Sequence, residues 1–90
     1  EIDRSSAKVT RGSEQVRMTP TEWHILDVLA ANYWKLVTQR QLLADVWGPG
    51  YEGQGHYLRV HMAALRRKLE PEPGRPVHLL TEPGLGYRLV

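Results

Sequence analysis

Gly55-His56-Tyr57-Leu58-Arg59-Val60-His61-Met62-Ala63-Ala64-Leu65-Arg66-Arg67-Lys68-Leu69 is the stretch on which the fold turns. Leu58, Met62, Leu65 and Leu69 recur at helical spacing, which stacks them on one stripe. The rest of the surface carries Arg59, Arg66, Arg67 and Lys68 and no carboxylate. A helix of this kind packs on a core with its apolar face and offers its basic face to an anion. In a small domain, the phosphate backbone of DNA is the anion that fits best.

The segments around this helix predict the rest of the fold. Upstream, Thr19-Pro20-Thr21-Glu22 predicts a helix start, with Thr19 as cap, Pro20 at the first helical position and Glu22 completing a capping box. Trp23, Leu26, Leu29 and Ala30 form its apolar stripe, widened by Ile25 and Val28, and Asn32-Tyr33-Trp34-Lys35 breaks the pattern. Leu36-Val37 reads as a short extended piece. Thr38-Gln39-Arg40-Gln41 repeats the capping-box pattern, and Leu42, Leu43, Val46 and Trp47 give the second helix its apolar face. Gly48-Pro49-Gly50 ends that helix, and a Gly-rich connector leads to Gly55. Beyond the basic helix, Pro71, Pro73, Gly74 and Pro76 forbid its continuation. His78-Leu79-Leu80-Thr81-Glu82 and Tyr87-Arg88-Leu89-Val90 predict a hairpin, with Pro83-Gly84 suited to the centre of a type II turn. At the other end, Lys8-Val9-Thr10-Arg11 and Gln15-Val16-Arg17-Met18 flank the turn Gly12-Ser13-Glu14, and Glu1-Ile2-Asp3 is a candidate further strand. The chain opens straight into this alternation, as a piece of a longer protein would.

The order is strands, three helices, hairpin. That predicts an α+β fold of winged helix-turn-helix type: a small N-terminal antiparallel sheet, a three-helix core and a C-terminal β-hairpin wing. Residues 1–90 are expected to form a single domain, since 90 residues support one modest core. The absence of cysteine excludes disulfides, thiolate zinc sites and thiol nucleophiles. No apolar run approaches a membrane span, no signal-peptide pattern is present, and a cytoplasmic location is expected. Ser, His and Asp occur in no spacing that assembles a triad or a carboxylate pair, and the glycines sit in connectors and the wing turn. The chain is therefore read as no enzyme, without cofactor. His56 and His61 are five apart and do not face each other, so no metal site is expected. His24 and His78 read as ordinary surface or edge residues.

Several motifs, in order along nearly the whole chain, carry a family resemblance. They are the run from Met18 to Leu29, the Leu42-Leu43…Val46-Trp47-Gly48 helix end, Val60-His61…Leu65-Arg66-Arg67-Lys68-Leu69, and Thr81…Gly84-Leu85-Gly86-Tyr87-Arg88. They resemble the DNA-binding effector domain of OmpR/PhoB-type response regulators. Within the family, His56-Tyr57-Leu58-Arg59, Leu69-Glu70-Pro71 and Leu80-Thr81-Glu82 most resemble regulators of potassium-uptake operons. The resemblance implies the basic helix in the major groove and the wing near the adjacent minor groove. It implies double-stranded promoter DNA, in tandem sites, as the partner. It also implies an N-terminal receiver domain, absent from this chain, and a sensor kinase. The family's first strand is expected upstream of Glu1, and the isolated domain is expected to be monomeric.

On a helical wheel, the face opposite the leucine stripe holds His56, Val60, Ala63, Ala64 and Arg67, the candidate base-facing residues. Arg67 either forks to a guanine or clamps a phosphate. Val60, Ala63 and Ala64 either touch thymine methyls or merely allow close approach. Relatives often carry arginine at the positions of Ala63 and Ala64, so their base contacts do not transfer. Arg59 and Arg66 lie on one flank, and Tyr57, His61 and Lys68 on the other. The candidate phosphate contacts are Arg40, Trp47, Tyr57, Arg59, His61 and Arg66. Those at Trp47, His61 and Arg66 follow from the family positions they match, and Arg40 sits in the first turn of the second helix, where anions are attracted. Thr81, Pro83, Gly84 and Arg88 are the wing candidates. Pro83 stands where relatives often have a minor-groove arginine, which leaves that contact to backbone or Arg75. Tyr87 reads as a wing-to-core anchor. The connector Gly48, Pro49, Gly50, Tyr51, Glu52, Gly53 and Gln54 matches a family loop that touches RNA polymerase, or else serves as a linker. The alternative to DNA binding is a winged-helix interaction module that sets its basic face on an acidic protein.

Overall fold

Two threonines start the first two helices. The Thr19 hydroxyl accepts from the Glu22 N–H and the Glu22 carboxylate accepts from the Thr19 N–H, closing the expected capping box of α1 (Pro20–Ala31). The Thr38 hydroxyl accepts from the Gln41 N–H at the start of α2 (Gln39–Trp47). The computed structural model describes residues 1–51 and 53–90. Glu52, assigned above to the connector loop, lies outside the described residues.

Before α1, β1 (Ile2–Asp3), β2 (Lys8–Arg11) and β3 (Glu14–Val16) form an antiparallel sheet in that order. The turn is shorter than expected. Arg11 pairs with Glu14, so Glu14 belongs to the strand and only Gly12-Ser13 remain as loop. Gly12 supplies the positive φ, 64°, that such a tight hairpin needs. β3 ends at Val16 rather than Met18 because the chain must turn into the Thr19 cap.

The basic stretch forms α3 over Gly55–Leu69, with the bounds expected. β5 (Leu79–Glu82) and β6 (Gly86–Leu89) form the wing hairpin. Its turn brings the Leu85 N–H to the Glu82 carbonyl at 2.9 Å, with Pro83-Gly84 central and Gly84 at φ 75°. The extended piece between α1 and α2 is β4 (Val37–Thr38), which joins the wing in the order β4-β6-β5. The wing is thereby anchored in a three-stranded sheet, with β6 in the middle. Gly86 makes this possible: a Cβ there would fall on the Val37 carbonyl and the Thr38 backbone.

The core sits where the three helices meet this sheet. Leu58, Met62 and Leu65 of α3 are fully buried against Ile25, Leu26 and Leu29 of α1 and Leu42 and Leu43 of α2. Val37, Leu79, Tyr87 and Leu89 close it from the sheet, and Val9 from the N-terminal strands. Each such aliphatic side chain contributes about 1.5–3 kcal/mol on burial. The stripe of α3 therefore holds its other face outward. Ile25 is central to this core rather than peripheral, whereas Trp23, Val28 and Ala30 are only partly buried. Trp34, after α1, holds φ 70°. Its N–H donates to the Leu89 carbonyl at 2.9 Å and its carbonyl accepts from Arg88 at 2.7 Å, which offsets a backbone cost of about 1–2 kcal/mol.

Candidate nucleic-acid interface

Because Leu58, Met62 and Leu65 point inward, the outward face of α3 presents His56, Arg59, Val60, Ala63 and Arg67, all exposed. Val60, at 63% exposure, is an aliphatic side chain with no core role. Ala64 is half-buried at the edge of this face. Small residues between two arginines leave the helix axis free to approach a surface closely.

One flank is aromatic. The Trp47 ring, from the last turn of α2, lies 6.1 Å from the Tyr57 ring and 5.3 Å edge-on from the His61 ring. The His56 ring lies 4.3 Å from Tyr57. His61 Nδ1 sits 2.8 Å from the Tyr57 carbonyl. That oxygen only accepts, so Nδ1 carries the proton and Nε2 is the nitrogen open to a partner. The cluster fixes the N-terminal half of α3 against α2 and brings together four of the side chains singled out in the sequence.

The four cations of α3 divide into two kinds. Arg59 and Arg67 are exposed, and among the described residues neither has a hydrogen-bond or ion-pair partner. Arg40, exposed in the first turn of α2, is likewise free among them. Lys68 instead turns inward: Nζ donates to the Arg17 carbonyl at 2.9 Å and to the Glu22 carboxylate at 2.5 Å. Burial pushes the Glu22 carboxyl up, but the bond from Lys68, the contacts to Thr19 and the Lys68 charge hold it below its ordinary value. The sequence placed Lys68 on a phosphate-facing flank, whereas it ties α3 to the start of α1. Arg66 is also committed within the chain. Its Nε and Nη2 donate to the Leu79 carbonyl at 3.0 and 2.8 Å, and Nη2 also donates to the Thr81 hydroxyl at 2.8 Å.

On the wing, Pro83, Gly84 and Leu85 form the exposed tip. Arg88 lies back from it, with Nε 3.3 Å from Glu82 Oε2 and Nη1 on the Trp34 carbonyl. Tyr87 is buried, as an anchor to the core would be. In the connector, Tyr51 is 41% exposed, Gly48 takes φ 104° and Gly50 φ 96°. A cleft of about 640 Å³ lies elsewhere, lined by Ile2, Val9, Leu26, Leu69 and Leu89, and no residue of the outward α3 face borders it. Among the described residues, no group of His, Asp and Glu is placed to hold a metal ion, and no helix is long and apolar enough to cross a membrane.

Sequence reasoning missed Glu70. It is 1% exposed and accepts three backbone N–H bonds, from Val77 at 3.1 Å, His78 at 2.9 Å and Leu79 at 2.7 Å. Burial raises its pKa, but these bonds, Leu79's first, and the nearby His78 bring the carboxyl below its ordinary value. The available signal was a lone carboxylate closing a helix that otherwise has none.

Comparison with known proteins places this geometry. The family described as "Transcriptional regulatory protein, C terminal" matches residues 13–89. The transcriptional regulatory protein KdpE of Mycobacterium tuberculosis H37Rv is 53% identical over 87 residues, covering 97% of this chain and 38% of its own length. The KDP operon transcriptional regulatory protein KdpE of Escherichia coli K12 is 48% identical over 89 residues, covering 99% of this chain and 40% of its own. The chain thus spans about two fifths of the curated relatives it matches. Among solved structures, the Klebsiella pneumoniae RstA DNA-binding domain in complex with the RstA box superimposes with a TM-score of 0.87 at 26% identity, covering 99% of this chain and 88% of that one.

Proposed function

This chain belongs to the OmpR/PhoB-type family of response-regulator DNA-binding domains, and we propose that it reads promoter DNA with α3 in the major groove and the β5–β6 wing near the adjacent minor groove. The family is one of transcription regulators rather than enzymes. The observation that carries the reading is the outward face of α3: acid-free, small-featured, held rigidly by its leucine stripe and flanked by Arg59 and Arg67, which have no partner among the described residues. In this reading His56, Val60, Ala63, Ala64 and Arg67 meet base edges, while Arg40, Trp47, Tyr57, Arg59 and His61 meet phosphates. The wing tip carries no cation, so its approach to the minor groove rests on backbone and shape.

The similarity to KdpE supports control of a kdp-type potassium-uptake operon. Because those relatives are longer than this chain, the full protein is proposed to carry a receiver domain addressed by a sensor kinase, to work in the cytoplasm and to occupy tandem sites. The 90-residue chain alone is proposed to bind as a monomer. The exposed connector with Tyr51 is the surface proposed to meet RNA polymerase.

The test is a titration of the 90-residue chain against a kdp-type promoter duplex and a scrambled duplex, from 50 to 300 mM salt. Arg40 and Arg59, the two arginines that this reading sets on phosphates, predict a slope of log K against log salt of about −1.8. Equal affinity for both duplexes would overturn sequence-specific reading, and a slope near zero would overturn DNA binding by this face.

A further inference from the structure

The grip of α3 on the wing stands out among the interactions that the proposed reading does not use. β5 is an edge strand of the β4-β6-β5 sheet. In its register Leu79 lies opposite Leu89, and the Val90 N–H donates to the His78 carbonyl at 2.9 Å. The alternation of an antiparallel ladder therefore directs the N–H and C=O of Leu79 away from β6, to the free edge. Both are taken by side chains of the helix end. Glu70 Oε2 accepts the Leu79 N–H at 2.7 Å, and Arg66 Nε and Nη2 donate to the Leu79 carbonyl at 3.0 and 2.8 Å. Arg66 and Glu70 are four apart and share one face of the helix. Arg66 also reaches two residues on, to the Thr81 hydroxyl at 2.8 Å, and Glu70 reaches back over the two preceding residues, to the N–H groups of His78 and Val77. The end of α3 thus does for this edge what another strand would do, and it grips the chain from Val77 to Thr81, across the start of β5.

We propose that Arg66 is a positioning residue rather than a phosphate contact, and that with Glu70 it locks α3 and the wing into one rigid body whose two parts meet adjacent grooves of DNA together. A planar guanidinium fork suits this task, because two of its N–H groups converge on one carbonyl while a third takes the hydroxyl. The inference rests on the DNA reading above and sharpens it. A wing that swings free of α3 makes its groove contact only in a fraction of its orientations.

Arg66→Lys separates the two roles. Lysine keeps the charge and serves as a phosphate contact, but it cannot reproduce the fork on Leu79 and Thr81. The 90-residue chain and its Arg66→Lys and Arg66→Met variants would be titrated against a duplex selected from a random library by the wild-type chain. Hydroxyl-radical footprints would report the wing's minor-groove protection. Both variants are expected to bind about tenfold more weakly, with the salt slope unchanged and the wing's protection lost while that under α3 persists. Rescue of affinity by lysine would overturn the inference, as would a slope reduced by about 0.9 in Arg66→Met with the wing footprint intact. Thr81→Val removes the hydroxyl alone and is expected to weaken the wing footprint in the same direction; an unchanged footprint would count against the lock even if Arg66→Met fails to fold. Failure of the wild-type chain to select any sequence would instead overturn the DNA reading itself.

Discussion

Replacing Glu70 by Gln tests the best-defined electrostatic element of the fold. The carboxylate is 1% exposed, and its two oxygens receive three N–H groups, one on Oε1 and two on Oε2. Glutamine keeps the volume but has one acceptor oxygen. If that oxygen keeps the His78 and Leu79 bonds, each changes from charge-assisted to neutral, a loss of about 1 kcal/mol apiece. The new NH2 then faces the Val77 N–H, and a donor left without an acceptor costs about 1–3 kcal/mol. The total is about 3–5 kcal/mol, a large share of the roughly 5–15 kcal/mol that holds a small domain folded. The pH dependence carries a definite sign. The folded-state pKa of Glu70 is lowered, so its contribution is full above the ordinary carboxylate range and is lost as pH falls through the lowered value. Urea unfolding followed by circular dichroism, repeated from pH 7 down to pH 3, measures both effects. The gap between wild type and Glu70→Gln is expected to be largest at pH 7 and to shrink towards the acid end as the carboxylate takes up a proton. A gap below about 1 kcal/mol at pH 7, or one that does not change with pH, would refute the reasoning.

Four further outcomes follow from the same structure. Arg59→Gln should weaken promoter binding and reduce the salt slope by about 0.9, whereas Arg67→Gln should weaken binding with the slope held and relax the base preference at one position; unfolding midpoints should stay unchanged in both, because neither guanidinium has a partner among the described residues. Lys68→Met should do the reverse: the salt slope holds, while stability falls by about 1 kcal/mol, since Glu22 loses an ion pair that is one-third exposed on the lysine side. Gly86→Ala should destabilise by about 3 kcal/mol because its Cβ meets the β4 backbone, whereas Gly84→Ala, in open space at φ 75°, should cost about 1–2 kcal/mol; denaturation midpoints rank the two. Val60→Ala should leave stability within about 0.5 kcal/mol, as expected for a side chain 63% exposed, yet change the base preferred at one operator position in a selection experiment.

Local chemistry makes most of the architecture legible in the sequence. The Thr19 box, the proline barrier after Leu69 and the Pro83-Gly84 turn act over four or five residues, so the chain alone was enough to place α1, the end of α3 and the wing tip. The leucine stripe of α3 is equally local, and it decided which face looks outward. What the chain could not show is where long side chains go once elements from distant positions meet. Arg66, Arg67 and Lys68 are adjacent in sequence and alike in charge. Only the packed fold sends Arg66 to β5, Lys68 to Glu22 across 46 positions, and leaves Arg67 to solvent. The same holds for β4 beside β6 and for Glu70 under the edge of β5. Periodicity decides the direction in which a side chain leaves its helix. Its partner depends on which strand or helix end the tertiary structure brings within reach of a flexible side chain.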